Sequence, residues 1–235
     1  MQMLKDPYVI DEEGTLRNKL GITDYSVLKA AERDITAAKF LNVGKTFGNT
    51  FDSNYFKAIH KHIFEDVFDW AGEFRTVPVI KQEVVIPGLS LQYANPKDIP
   101  SKLEKCLKSF NDIDWESMPL DKKVPLFTSK LVELWNIHPF RDGNTRTTIT
   151  FARQFSKEHG FPMDLGFLLD QLPRKFDGNR ITQYSIRDKF VLAAIPKEHY
   201  PEPEHLERLI HQSIVSGINK NITDLQNQLG TREDR

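Results

Sequence analysis

His138-Pro139-Phe140-Arg141-Asp142-Gly143-Asn144-Thr145-Arg146 places an imidazole, a carboxylate, a flexible turn, an amide and a guanidinium within nine consecutive residues. Pro139 disfavours helical geometry at His138, so a helix arriving from the N-terminal side stops there. Gly143-Asn144 then lets the backbone turn before the next helix begins. A neutral imidazole in such a loop accepts a hydroxyl proton near neutral pH and is placed to reach a substrate from outside. Converging amide N–H groups around Gly143 and Asn144, with the positive end of the following helix, make a phosphate cradle. Asp142 offers the hard oxygen that Mg2+ prefers, and Arg146 offers a planar fork for another phosphate. Turn formation by Asp142 and Asn144 and a surface ion pair for Arg146 are the plain alternatives; the whole constellation outweighs them.

The flanks read as helices. Before the loop, Val124, Leu126, Phe127, Leu131 and Leu134 keep helical spacing over about 120–136; after it, Ile149, Phe151, Ala152 and Phe155 do so from Thr145 to a stop at Gly160. Further out, Asp24 caps a pattern of Val27, Leu28, Ala31, Ile35, Ala38 and Leu41. Asp52 or Ser53 opens a second helix, with Phe56, Ile59, Ile63, Phe64 and Val67 on one side and an end before Trp70-Ala71-Gly72. Ile99, Leu103, Cys106, Leu107 and Phe110 align over about 98–112, and apolar patterns return at about 182–195 and 203–218. The polar tail NQLGTREDR is expected to fray. Only Arg75 to Leu91 changes character: TVPVIKQEVVIPGL is β-branched and carries prolines at 78 and 87, which suggests a short hairpin or extended flap rather than an interior strand.

Composition narrows the classes. The 32 basic and 33 acidic side chains nearly cancel among 235 residues, so no overall field draws the chain to nucleic acid or to an anionic membrane. One cysteine, Cys106, excludes an internal disulfide and a multi-thiolate zinc site, which fits a reducing cytoplasm. No run of about 18 apolar residues occurs, and the acidic N-terminus does not read as a secretory signal. His60 and His62, two residues apart, point to different helix faces and are not read as a metal pair. His159 reads as a charge near a helix C-terminus, Asp177-Gly178-Asn179-Arg180 as a loop leading into the next helix, and Trp70 and Trp135 as core.

HPFRDGNTR resembles the signature of the Fic (filamentation induced by cAMP) family, HxFx[DE]GNGRxxR. LRNKLGITD from Leu16, FKAIHKHIFEDVFDWAGEFRTV from Phe56 and SIRDKFVLAA from Ser185 resemble the family in the same order, over roughly residues 16–195. The resemblance implies a mainly α fold: a Fic-like helical bundle with a short β-hairpin flap beside the active-site loop. It implies a Fic domain with its N-terminal helical part over 1–200, followed by a C-terminal helix and polar tail over 201–235.

By the same resemblance His138 is the catalytic base that deprotonates a target hydroxyl, Phe140 the inward anchor of the loop, and Asp142 the Mg2+ ligand. Gly143, Asn144 and Thr145 line the nucleotide pocket and Arg146 holds a phosphate beyond the one transferred. The flap docks the target by backbone pairing, with Thr76, Val77, Val79 and Lys81 as its docking residues. The implied activity is transfer of AMP from ATP to a Ser, Thr or Tyr hydroxyl of a target protein, in the cytoplasm of a bacterium or, after export, as an effector. Its alternatives are a transferase using another nucleotide or diphosphate donor, and a catalytically weak Fic-fold binding module.

Two positions depart from the signature: Thr145 replaces its second glycine and Ile149 its final arginine. Thr145 narrows the pocket, adds a phosphate donor, or caps the helix. Ile149 removes a charge that orients the triphosphate and pairs with an inhibitory glutamate. The inhibitory motif [ST]xxxE[GN] is absent, since Glu13-Gly14 has Val9 four places before the glutamate. Restraint by a separate small antitoxin-like protein, or only weak restraint, is the resulting expectation.

Overall fold

The computed structural model describes residues 6–41, 43, 47, 50–81, 83–170, 174–178 and 180–233. Helices dominate the described residues: α1 (Tyr25–Leu41), α2 (Ser53–Phe64), α3 (Ile99–Asn111), α4 (Leu120–Ile137), α5 (Asn144–Glu158), α6 (Leu165–Asp170), α7 (Ile186–Ala193) and α8 (Glu204–Glu233). A two-stranded antiparallel sheet, β1 (Lys175–Asp177) with β2 (Arg180–Gln183), lies between α6 and α7 in the chain.

The chain divides into two compact units. The first comprises Met1–Ile80, Tyr93–Ser109 and Ile137–Phe151; the second comprises Lys81–Gln92, Phe110–Asn136 and Ala152–Arg235. The first is built around α2. Asp52 caps it by accepting a hydrogen bond from the Tyr55 amide (2.9 Å), and Phe56, Ile59, Ile63 and Phe64 are fully buried along it. Phe56 stacks on Phe140 (5.8 Å) and meets Phe151 edge-on (5.7 Å). In the second unit Trp115, Phe127, Phe155 and Phe161 form an aromatic core, and Trp135 stacks on Phe190 (5.3 Å). Such rings bury large areas and favour offset or edge contacts, so they fix helix positions more sharply than aliphatic packing does.

Several expected boundaries hold. α1 starts after Asp24, whose carboxylate accepts from the Val27 amide (2.8 Å), α4 ends at Ile137 just before His138-Pro139, and α5 runs out ahead of Gly160, which adopts φ 78°.

Four expectations need correction in whole or in part. The buried stripe of α1 is Leu28, Glu32, Thr36 and Phe40, whereas Val27 is 54% exposed. Two of those inward positions are polar, so apolar spacing alone misplaced the face. The paired strands are at 175–183; of the two readings of Arg75–Leu91, hairpin or extended flap, the described residues form no ladder there and leave the second. Pro78 and Pro87 each remove a ladder donor there. Asp177 pairs with Arg180 instead, so the stretch read as a loop into a helix is the turn of the hairpin. Finally, α8 continues to Glu233 through the tail expected to fray; extending an existing helix adds one bond per residue and needs no new nucleus.

Candidate active site

The loop between α4 and α5 lies wholly in the first unit, and its shape follows from its sequence. His138 adopts φ 53°, a left-handed conformation that a non-glycine residue holds only when its surroundings enforce it. Arg75 enforces it. Its side chain is 2% exposed; Nε donates to the His138 carbonyl (2.7 Å), its backbone amide donates to Pro139 O (2.9 Å), and the two remaining guanidinium nitrogens donate to Val77 O (2.9 Å) and Ala94 O (2.5 Å). A planar fork with several donors suits this junction of four backbone carbonyls.

From that fixed point the chain turns inward. Phe140 is fully buried, with its ring on the imidazole of His60 at 3.8 Å. Asn144 closes the loop on itself: its Oδ1 accepts from the Phe140 amide (2.9 Å) and its Nδ2 donates to Phe140 O (2.8 Å). The Asn144 side chain therefore spends its hydrogen bonds on loop shape and faces the interior. Gly143 has φ 79°, and a Cβ on it would stand 2.4 Å from the Phe64 ring, so both conformation and space require glycine.

His60 holds the loop from below. The Gly72 amide donates to its Nδ1 (2.8 Å), which leaves Nε2 as the protonated nitrogen, directed at Asp142 O (3.1 Å). Complete burial pushes the His60 pKa down to about 3, overriding the opposing pull of the Asp142 carbonyl, so the ring is neutral. As expected, His60 is not a metal ligand; its two nitrogens are both committed to backbone.

The polar groups between the loop and α1 form one chain of charge. Lys29 Nζ pairs with Asp142 Oδ2 (2.7 Å) and Glu32 Oε2 (3.0 Å), and the other Glu32 oxygen accepts from Arg146, whose second nitrogen donates to Thr36 Oγ1 (2.6 Å). The Arg146 guanidinium also lies 4.5 Å over the Phe64 ring. Burial works against the Lys29 ammonium, yet Asp142 and Glu32 outweigh it and hold its pKa above the ordinary lysine value. Arg141 is fastened to Asp6 through Nε (2.9 Å) and Nη2 (2.8 Å). These partners explain the inward polar face of α1: Glu32 and Thr36 are buried to receive Arg146.

His138 differs from the expected open imidazole. Its side chain is 1% exposed, with the Tyr93 ring stacked on it at 3.9 Å and 20°. Thr145 is half-buried at the start of α5, and Ile149 is 1% exposed. In the flap segment the Thr76 amide donates to Tyr8 Oη (3.2 Å), the Val77 carbonyl is taken by Arg75, Val79 is buried, and Ile80 is 81% exposed. Lys81 belongs to the second unit, where Glu83 forms a two-pronged ion pair with Arg187.

The donor set suits a hard divalent cation. Asp142 accepts from its neighbour Gly143 N with Oδ1 (2.8 Å) while Oδ2 already holds a cation, the Lys29 ammonium, on a side chain 22% exposed. One carboxylate at a helix N-terminus is what Mg2+ takes when phosphate and water supply its other ligands. Among the described residues the one cluster of three potential ligands is Glu202, Glu204 and His205 in the second unit, away from this loop in sequence and largely exposed.

Residues missed in the sequence are Lys29, Glu32, Arg75 and Tyr93. Arg75 stood at the start of a stretch already singled out, and Glu32 interrupted an apolar stripe; both were available signals.

The helical fold is that of solved Fic-domain structures. Residues 50–156 match the Fic/DOC family. The chain is 30% identical over 162 residues to the protein adenylyltransferase VbhT of Bartonella schoenbuchensis, a match covering 68% of this chain and 32% of that protein. It is 27% identical over 186 residues to the probable protein adenylyltransferase y4lH of Sinorhizobium fredii, covering 75% of this chain and 91% of that one. The chain thus spans about a third of VbhT and most of y4lH. The crystal structure of BepC from Bartonella tribocorum, with bound AMPPNP, superimposes with a TM-score of 0.68 at 20% identity, covering 88% of this chain and 95% of that one.

Proposed function

We propose that this chain is a protein adenylyltransferase that moves AMP from ATP to a Ser, Thr or Tyr hydroxyl of a target protein. The observation that carries the reading is the juxtaposition within one loop of His138, held by Arg75 at the end of α4, with Asp142 and Arg146 around the N-terminus of α5. The curated relatives are named for this activity, and the BepC structure binds an ATP analogue.

In this reading His138 takes the proton from the acceptor hydroxyl, whose oxygen attacks the α-phosphorus of ATP; the new P–O bond forms as the bond to pyrophosphate breaks. The N-terminus of α5, which begins at Asn144, offers its positive end to incoming phosphate. Asp142 would hold Mg2+, and the ion would supply positive charge to the phosphates and the leaving group. Arg146 exchanges its Glu32 partner for a phosphate beyond the one transferred, and Tyr93 moves off the imidazole before the target arrives. The target aligns by backbone pairing along the flap, where the Thr76 amide and the Val77 carbonyl are already engaged within the chain. The protein works in a bacterial cytoplasm under a small antitoxin-like inhibitor; export as an effector is the competing setting.

The buried Ile149 favours one second reading, a binding module that keeps the fold but handles nucleotide weakly. Incubating the purified chain with a cell lysate, Mg2+ and labelled ATP, GTP, UTP or CTP separates them. Label on protein from ATP, absent with His138→Ala, supports AMP transfer. Label from another nucleotide reassigns the donor, and no label from any of the four leaves the binding module.

A further inference from the structure

We infer that Lys29 is a nucleotide-binding residue of this site, an ammonium parked on Asp142 that passes to the polyphosphate when nucleotide enters. The inference rests on the nucleotide site proposed above and adds to it the group that supplies the charge absent at Ile149.

Besides Arg75, whose guanidinium is committed to backbone carbonyls, three cations surround the loop among the described residues, and they are not equally able to move. Arg141 is fixed by two nitrogens on Asp6, and Arg146, even when it gives up Glu32, stays set by Thr36 and the face of Phe64. Lys29 is different: its side chain is 37% exposed, it projects from α1 on a flexible four-carbon stem, and it is held by point contacts to Asp142 and Glu32. Its principal partner is also the carboxylate that a divalent cation would claim.

Once Asp142 serves a metal, the ammonium loses its shorter contact and keeps Glu32 as a pivot. Asp142 would hold the cation, and a phosphate sharing that ion would lie beside the same carboxylate. That is inside the sweep of a lysine whose nitrogen starts 2.7 Å from it. Ile149, 1% exposed, brings no charge to the same phosphates, so a second cation must come from outside the signature. α1 delivers it, from a residue 113 positions earlier in the chain.

The test is binding, read without turnover. Wild type, Lys29→Met and Lys29→Arg are titrated with a fluorescent ATP analogue and with its AMP counterpart, in Mg2+ and in EDTA, with melting curves as folding controls. Expected is a loss of about tenfold or more for the ATP analogue in Lys29→Met, the size of one charge-assisted contact. The AMP counterpart should change by less than about twofold and Lys29→Arg should recover most of the affinity. In EDTA, Asp142→Asn should bind the ATP analogue more tightly than wild type by releasing the ammonium, and adding Lys29→Met should erase that gain. Unchanged or tighter binding by Lys29→Met, or equal losses for both nucleotides, overturns the inference while wild type still binds ATP. A wild type that binds neither nucleotide removes the proposed function and this inference together.

Discussion

The Tyr93 ring lies against the His138 imidazole, 3.9 Å between centroids and 20° from parallel. The proposed base is therefore a covered base, 1% exposed, on a residue whose backbone is already held at φ 53°. Tyr93→Ala should uncover it. Diethylpyrocarbonate modification of His138, mapped by mass spectrometry against His211 as an exposed reference, should quicken several-fold. Stability should fall by only about 1 kcal/mol, the worth of one aromatic pair. An unchanged rate at His138 would mean that something other than Tyr93 shields the ring.

Gly143→Ala should act on both fold and site. A Cβ would meet the Phe64 ring at 2.4 Å, and φ 79° is unfavourable for alanine in any space. Overpacking and left-handed strain together cost about 2–5 kcal/mol, which urea unfolding would register. Phe64 also lies beneath Arg146, so displacing its ring should weaken nucleotide binding in whatever fraction stays folded.

His60 gives the stability a defined pH dependence. The unfolded chain returns this histidine to its ordinary pKa of 6.5, whereas the folded ring resists protonation down to about pH 3. Its contribution is fully present above pH 6.5 and is lost as the pH falls toward 3, at about 1.4 kcal/mol per pH unit. Glutamine can accept from the Gly72 amide and donate to Asp142 O without titrating. His60→Gln should thus be less stable than wild type at pH 7.5, and the gap should narrow between pH 6 and pH 4 in urea unfolding. A constant gap would show that the ring is protonated in the folded state.

Part of this fold and site was legible in the sequence. Local signals read well: Asp52 as a cap, Pro139 as a stop, and Gly143 as a turn each depend on neighbours within a few positions. What failed depends on distance. Arg146 reaches Thr36 across 110 positions and Glu32 across 114, so the polar residues on the inner face of α1 had no local reason to be inward. The hairpin failed for a different reason. Its strands are largely exposed and lack an apolar alternation, so only the Asp177-Gly178 turn advertised it, while the β-branched run at 76–86 did not pair.

Ile149→Arg restores the family's signature, and sequence comparison alone predicts a gain in nucleotide binding. The structure predicts the reverse. Position 149 is 1% exposed, in the buried run Thr147, Thr148, Ile149 and Thr150 of α5. A guanidinium there enters a site whose occupant is a branched aliphatic side chain, and a buried charge without a partner costs about 3–5 kcal/mol. The expected result is a lower urea midpoint with no tighter binding of the ATP analogue. A variant as stable as wild type that binds ATP more tightly would show that this face of α5 opens to the phosphates, and that the isoleucine had been withholding a contact the fold accommodates.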